Sequence, residues 1–128
     1  MTMNNPIGWI EIPVTDLDRA EKFYSDYFGF EMNRQPEFNG YTMSWFPMDG
    51  ESYGSGATLI TGPDCEPCHK GVLIYFTAPG DSVNAGVAKA EELGIEILQP
   101  ATSIGEHGFY ATLKDSEGNR FAIHSMNE

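Results

Sequence analysis

Basic residues are scarce: seven lysines and arginines stand against 19 aspartates and glutamates in 128 residues, a net charge of −12. Nucleic acid is therefore not an expected partner, because neutralising phosphates takes patches of Lys and Arg. An anionic membrane surface is disfavoured on the same ground. Long hydrophobic runs are also missing, and each apolar stretch falls far short of the ~20 residues that a bilayer-spanning helix needs. Met1 to Gly8 lacks the charged start and apolar run of a secretory signal. Cysteine is confined to Cys65 and Cys68, too few and too close for a disulfide framework. These absences make the cytoplasm the expected compartment. What is present is a globular composition, 41% apolar and 12% aromatic. The length suits one domain, which can bury roughly two-thirds of its unfolded surface without a disulfide or structural metal.

Local patterns give an order of elements. Ile7 to Pro13 reads as a strand with Ile10 and Ile12 on one face and Trp9 and Glu11 on the other. Thr15 offers an N-cap, with Asp18 in the capping-box position, for a helix from Asp16 to Phe28. Leu17, Ala20, Phe23, Tyr24, Tyr27 and Phe28 form its apolar stripe, and Gly29 suits a left-handed C-terminal cap. Strands are expected at Phe30 to Arg34, Tyr41 to Phe46 and Gly56 to Thr61. After a looser stretch, Gly62 to Lys70, the order repeats. A strand at Val72 to Thr77, a turn and cap at Pro79 to Ser82 and a helix from Val83 to Leu93 lead to Gly94. Strands at Ile95 to Gln99, Gly108 to Leu113 and Arg120 to His124 follow.

The two halves align. Gly29-Phe30-Glu31 and Gly94-Ile95-Glu96 each follow a helix, and Asp16 and Asp81 each stand thirteen residues before that glycine. A long-period repeat of this kind points to two βαβββ modules, residues 7–62 and 71–126, packed into one α+β domain of 1–128.

Two segments carry a family resemblance. They are Glu11-Ile-Pro-Val-Thr-Asp-Leu-Asp-Arg-Ala-Glu-Lys-Phe-Tyr24, followed by Phe28-Gly29-Phe30, and Gly108-Phe-Tyr-Ala-Thr-Leu-Lys-Asp-Ser-Glu-Gly-Asn-Arg120. With these the chain resembles the vicinal oxygen chelate superfamily, which holds glyoxalases, bleomycin-resistance proteins and dioxygenases, and its second half is most similar to uncharacterised glyoxalase-related members. The resemblance implies paired modules curled into a mixed-sheet cup around a small-molecule site, and a homodimer with sites at or near the subunit interface. In metal-dependent members four inward strand positions hold a divalent ion that acts as a Lewis acid. Here the first of these positions falls on Trp9 and the last on Ala122, neither of which can ligate. The strands expected to supply the other two, Ser55 to Thr61 and Gly71 to Thr77, hold no His, Glu, Asp or Gln. No cofactor is therefore expected, and a divalent metal would need a displaced site.

Other side chains remain as candidates. Glu11 shares the face of Trp9, and His124 that of Ala122, so the two would form a carboxylate–imidazole pair for acid–base catalysis. Trp9, Tyr75, Tyr110 and Trp45 would line a ligand cavity. Cys65-Glu-Pro-Cys-His69 matches haem-attachment, redox and partial zinc patterns, or else is a plain connecting loop with reduced thiols. Glu106 and His107 sit in a Gly-flanked turn, and Glu117-Gly118-Asn119 reads as a turn between strands. The leading functional expectation is metal-free binding or sequestration of a small molecule, with the negative charge favouring a cationic one. The alternatives are a lyase, isomerase or dioxygenase-type enzyme using Glu11 and His124 or a displaced metal, and a non-catalytic regulatory module.

Overall fold

The computed structural model describes residues 6–51 and 54–128. In chain order the first half runs β1 (Trp9–Pro13), α1 (Leu17–Phe28), β2 (Asn33–Arg34), β3 (Thr42–Trp45) and β4 (Gly56–Thr61). The second half runs β5 (Ile74–Thr77), α2 (Val83–Leu93), β6 (Ile97–Ser103), β7 (Phe109–Lys114) and β8 (Arg120–Ser125). Each half makes a mixed four-stranded sheet, ordered β1-β4-β3-β2 and β5-β8-β7-β6. In both, the strand before the helix runs parallel to the last strand of the half, and the remaining pairs are antiparallel. The fold is α+β, and the repeat expected from the sequence is present in both topology and caps. Gly29 and Gly94 close their helices at φ 77° and 74°, a conformation glycine adopts without steric cost.

Several boundaries differ from the expected ones, each for a local reason. Thr15 is not the N-cap of α1. Asp16 is extended, its Oδ1 accepts the Arg19 amide at 3.0 Å, and the helix begins at Leu17. β2 is only two residues long, because Phe30 and Met32 first pack against the core and the chain enters the ladder at Asn33, opposite Trp45. β5 starts at Ile74, with Val72 88% exposed ahead of it. β6 begins later than expected and runs on through Pro100, with register shifts flanking Gln99. It is an edge strand, where a residue without an amide hydrogen can be carried at an irregularity.

The core explains how the halves join. One buried cluster holds Ile12, Val14, Tyr24 and Leu59, and the other holds Tyr27, Val83, Leu113 and Phe121. Phe23, Phe28 and Phe76 pack against both, so the interior is continuous. Across the seam, the Tyr24 ring lies 6.0 Å from Phe76 and 5.9 Å from Phe121. Tyr27 donates its hydroxyl to the Gly86 carbonyl oxygen at 3.0 Å. A Cβ at Gly86 would stand 2.6 Å from Ile123 Cδ1 and 3.0 Å from that hydroxyl, so any larger residue there would force these side chains to shift.

A polar clamp then sets the angle of the seam. The β7–β8 turn reaches the start of α1, where Glu117 Oε1 accepts the Thr15 amide, the Thr15 hydroxyl and the Asp16 amide at 2.9–3.0 Å. Arg19 forks onto the same carboxylate at 2.6 and 2.8 Å. A carboxylate at a helix start satisfies orphan amides and meets the positive end of the helix dipole. Burial pushes the Glu117 pKa up, but the bonds from Arg19, the Asp16 amide, Thr15 and Ser116 outweigh it and hold it at about 2. Behind it, Asp115 accepts Tyr24 Oη at 2.7 Å and the amides of Glu117 and Asn119 at 2.8 Å each. Asn119 donates to the Pro13 carbonyl oxygen at 2.8 Å.

A carboxyl held below its unfolded pKa stabilises the fold above that value, and the stabilisation fades as pH falls toward the folded pKa. Glu117→Gln should therefore cost on the order of 2–3 kcal/mol at pH 7. The Tm difference between wild type and variant should shrink as pH falls from about 5 to about 2, because protonation neutralises the carboxyl in wild type alone. Thermal melts across that range check this, and a pH-independent difference would refute it.

Candidate functional site

β1 and β5 each lie at an end of their sheet, and a groove of about 610 Å³ opens between them. Its walls include all of β1, Ile74 to Phe76 of β5, and the Gly71 to Leu73 approach, with Tyr24 and Phe121 at its base. The alternation predicted for β1 holds: Ile12 is buried, while Trp9 and Glu11 are exposed. Trp9 and Glu11 lie opposite Gly56 and Thr58 of β4. A Cβ on Gly56 would come within 3.0 Å of the Trp9 ring, so the indole rests over a bare backbone.

The four predicted aromatic residues fall into two pairs, one on each sheet. Trp9 and Trp45 meet edge to face at 5.9 Å on the first, and Tyr75 and Tyr110 lie 6.3 Å apart on the second. Trp9 and Tyr75 border the groove, whereas Trp45 and Tyr110 lie outside its lining. Trp45 Nε1 is buried and has no hydrogen-bond partner among the described residues.

Glu11 borders the groove, and His124 does not. His124 lies opposite Tyr110 and Thr77, and its Nε2 is 2.7 Å from the His107 carbonyl oxygen, so that nitrogen carries the proton it donates. Among the described residues no ion pair or hydrogen bond joins Glu11 to His124. Glu106 and His107 are largely exposed in a single 3-10 turn, Gly105–His107, 3.6 Å from each other.

The cysteine segment crosses between the modules. The Cys68 amide donates to Asn119 Oδ1 at 2.9 Å, which brings Cys68 to the groove wall. Both thiols are free. Burial, then Glu11 and Asp64, push the Cys65 thiol pKa up, so no thiolate is favoured there. Among the described residues no three of His, Cys, Asp and Glu come together to hold a metal. Trp9 stands opposite Gly56, and Tyr75 opposite Ala122, a set of side chains that does not fit a divalent ion.

Sequence reasoning missed two things. It read Glu117-Gly118-Asn119 only as a turn, although the acidic residues in the second signature face the first signature in space. It passed over Arg120, which the period-2 pattern puts on one face with Ala122 and His124.

Comparison with known proteins agrees with this architecture. A family model described as bleomycin resistance protein-like N-terminal matches residues 7–44. A glyoxylase-like domain-containing protein of Didymella fabae is 30% identical over 128 residues, covering 96% of this chain and 95% of that one. A Mycobacterium bovis protein bearing a glyoxylase name, CFP32, is 28% identical over 124 residues, and the chain spans 45% of its length. Among solved structures, the antibiotic-binding protein TnmS3 from Streptomyces sp. CB03234 superposes with a TM-score of 0.72 at 23% identity, covering 97% of this chain and 98% of that one. The trypanothione-dependent glyoxalase I of Leishmania major gives 0.71 at 21% identity, with coverage of 96% and 88%. The chain thus belongs to the glyoxalase/bleomycin-resistance fold class. Within it, the chain is a glyoxalase-like member of the vicinal oxygen chelate superfamily.

Thiol accessibility gives a direct check of the groove wall. Cys68, exposed, should react quickly with 5,5′-dithiobis(2-nitrobenzoate), and half-buried Cys65 slowly. Cys68→Ser should remove the fast phase alone. A single phase that titrates both thiols would contradict this geometry.

Proposed function

We propose that this protein binds and sequesters a small organic molecule in the groove between β1 and β5. The observation that carries this reading is the groove itself, an apolar-walled cleft of about 610 Å³ with Trp9 and Tyr75 at its sides. Concave, mostly apolar sites with few polar groups are the usual form of small-molecule pockets. Strand addition by a peptide is the weaker reading, because Pro13 lacks an amide hydrogen, Glu11 puts a charge on one edge, and β5 is only four residues long. The antibiotic-binding name of TnmS3, a neighbour in fold, is consistent with sequestration. Lyase, isomerase or dioxygenase-type turnover through Glu11 and His124 is the alternative, supported by the Glu11 carboxylate in the groove wall.

The neutral planar probe 2-naphthamide tests this reading. The two tryptophans of the chain sit together beside the groove, so their emission should quench as the probe binds, and the Tm should rise. Tyr75→Ala should weaken binding roughly tenfold, the usual weight of one aromatic wall. No quench and no Tm shift up to the solubility limit would refute the groove as a binding site.

A second copy of the chain is the proposed partner. Ile7, Trp9, Val72 and Tyr75 are exposed around the groove mouth, a concentration of apolar surface that favours association. Sedimentation velocity should show a dimer for wild type and a monomer for Val72→Glu. A monomeric wild type at high micromolar concentration would refute this proposal.

A further inference from the structure

The concave face of the second sheet carries a cation without a counter-charge. Phe121 and Ile123 of β8 enter the core, so Arg120, Ala122 and His124 face the other way. Arg120 borders the groove and also a hollow of about 350 Å³ beside it, where Tyr75, Tyr110, Thr112 and His69 form other parts of the wall. That wall contains no aspartate or glutamate, in a chain that has 19.

The three arginines make the contrast. Arg19 forks onto Glu117, and Arg34 onto Glu21 and Asp18. Arg120 has neither an ion pair nor a side-chain hydrogen bond among the described residues. Its cross-strand neighbour is Lys114, whose nearest carboxylate, on Glu96, is 4.0 Å away. Two like charges directly opposite on a sheet repel, and Glu96 stands against Lys114 alone.

Unpaired donors converge on the same hollow. Thr112 is 4% exposed, and its hydroxyl makes no hydrogen bond among the described residues. The hydroxyls of Tyr75 and Tyr110 have no partner there either, although their rings lie 6.3 Å apart. With no partner among the described residues, these hydroxyls are available to bond a ligand or water.

We propose that this hollow is the polar end of the binding site and takes a small organic anion, a carboxylate on a planar aromatic body. Arg120 grips the carboxylate with its fork, the Thr112 hydroxyl donates to it, and the two tyrosines flank the ring. The planar guanidinium matches a carboxylate in two parallel bonds, which a point charge does not. This inference rests on the reading of the groove as a small-molecule site, and it reverses the cationic preference that net charge alone suggested. Net charge acts at a distance and is screened over about 8–10 Å in physiological salt, whereas the wall acts at contact.

Isothermal titration with three probes of one shape tests it: 2-naphthoate, 2-naphthamide and 2-naphthylmethylammonium. On wild type, naphthoate should bind roughly tenfold more tightly than naphthamide, the cation should bind most weakly, and added salt should weaken naphthoate alone. Arg120→Gln should abolish the preference, so that naphthoate and naphthamide bind the variant equally, while the Tm stays unchanged. Arg120→Lys should recover part of the preference, and Thr112→Val should lose part of it without touching charge. Equal affinities for naphthoate and naphthamide, or a preference that survives Arg120→Gln, would overturn the anion site and leave the groove standing. Binding of none of the three would overturn both readings.

Discussion

The Glu117 carboxylate at the start of α1 is the contact on which the arrangement of the two halves depends. Apolar packing brings the modules together but does not fix their angle, because burial is non-directional. Direction comes from hydrogen bonds. Glu117 takes the Thr15 and Asp16 amides, Asn119 bonds the Pro13 carbonyl, and Asp115 holds the Tyr24 hydroxyl. One turn of the second module thus holds the end of β1, the cap of α1 and a core tyrosine of the first. Tyr24 serves both kinds of force, with its ring in the aromatic seam and its hydroxyl in the clamp.

The groove follows from that geometry. β1 and β5 end their sheets beside one another but do not pair, so a cleft runs between two free strand edges. The aromatic core beneath it, where Tyr24, Phe76 and Phe121 touch, supports the walls. Above, the connecting loop is pinned by the Cys68 amide on Asn119, a side chain that also belongs to the clamp. The same few polar residues therefore set the angle of the halves and the position of the groove's rim. The cysteine motif has its plainest physical explanation in this role, as a crossing segment held by its backbone.

What was legible in the sequence was what local pattern encodes. The stripe of α1, the glycine caps and the inward face of β1 depend on neighbours a few residues apart, and each matches the structure. The N-cap was misread because Thr15 and Asp16 are both good capping residues, and the choice was made by Glu117, 102 residues away. β2 shrank and β6 extended for the same kind of reason, core packing in one case and edge-strand tolerance in the other. The candidate site was the least legible part. It depends on the register of β8 against β7, which sets the side chains that share a face, and a single chain of letters does not carry that register.

Net charge and the local placement of charge describe different properties of this chain. The acidic excess includes the helix surfaces, with Asp18 and Asp26 on α1 and Glu91 and Glu92 on α2 all exposed. These residues shape the far field. The concave face of the second sheet is built differently. Arg120, Lys114 and His124 stand on adjacent strands there, and the hollow beside Arg120 has no carboxylate in its wall. Arg120 sits one residue past Asn119, so the strand that leaves the clamp delivers it to the hollow at once. The clamp uses up Glu117, the acidic side chain nearest to that arginine in sequence, by turning it toward Arg19. With its neighbouring carboxylate committed across the seam, Arg120 is left without an ion-pair partner among the described residues. The interaction that joins the modules thereby also shapes the charge around the proposed anion site.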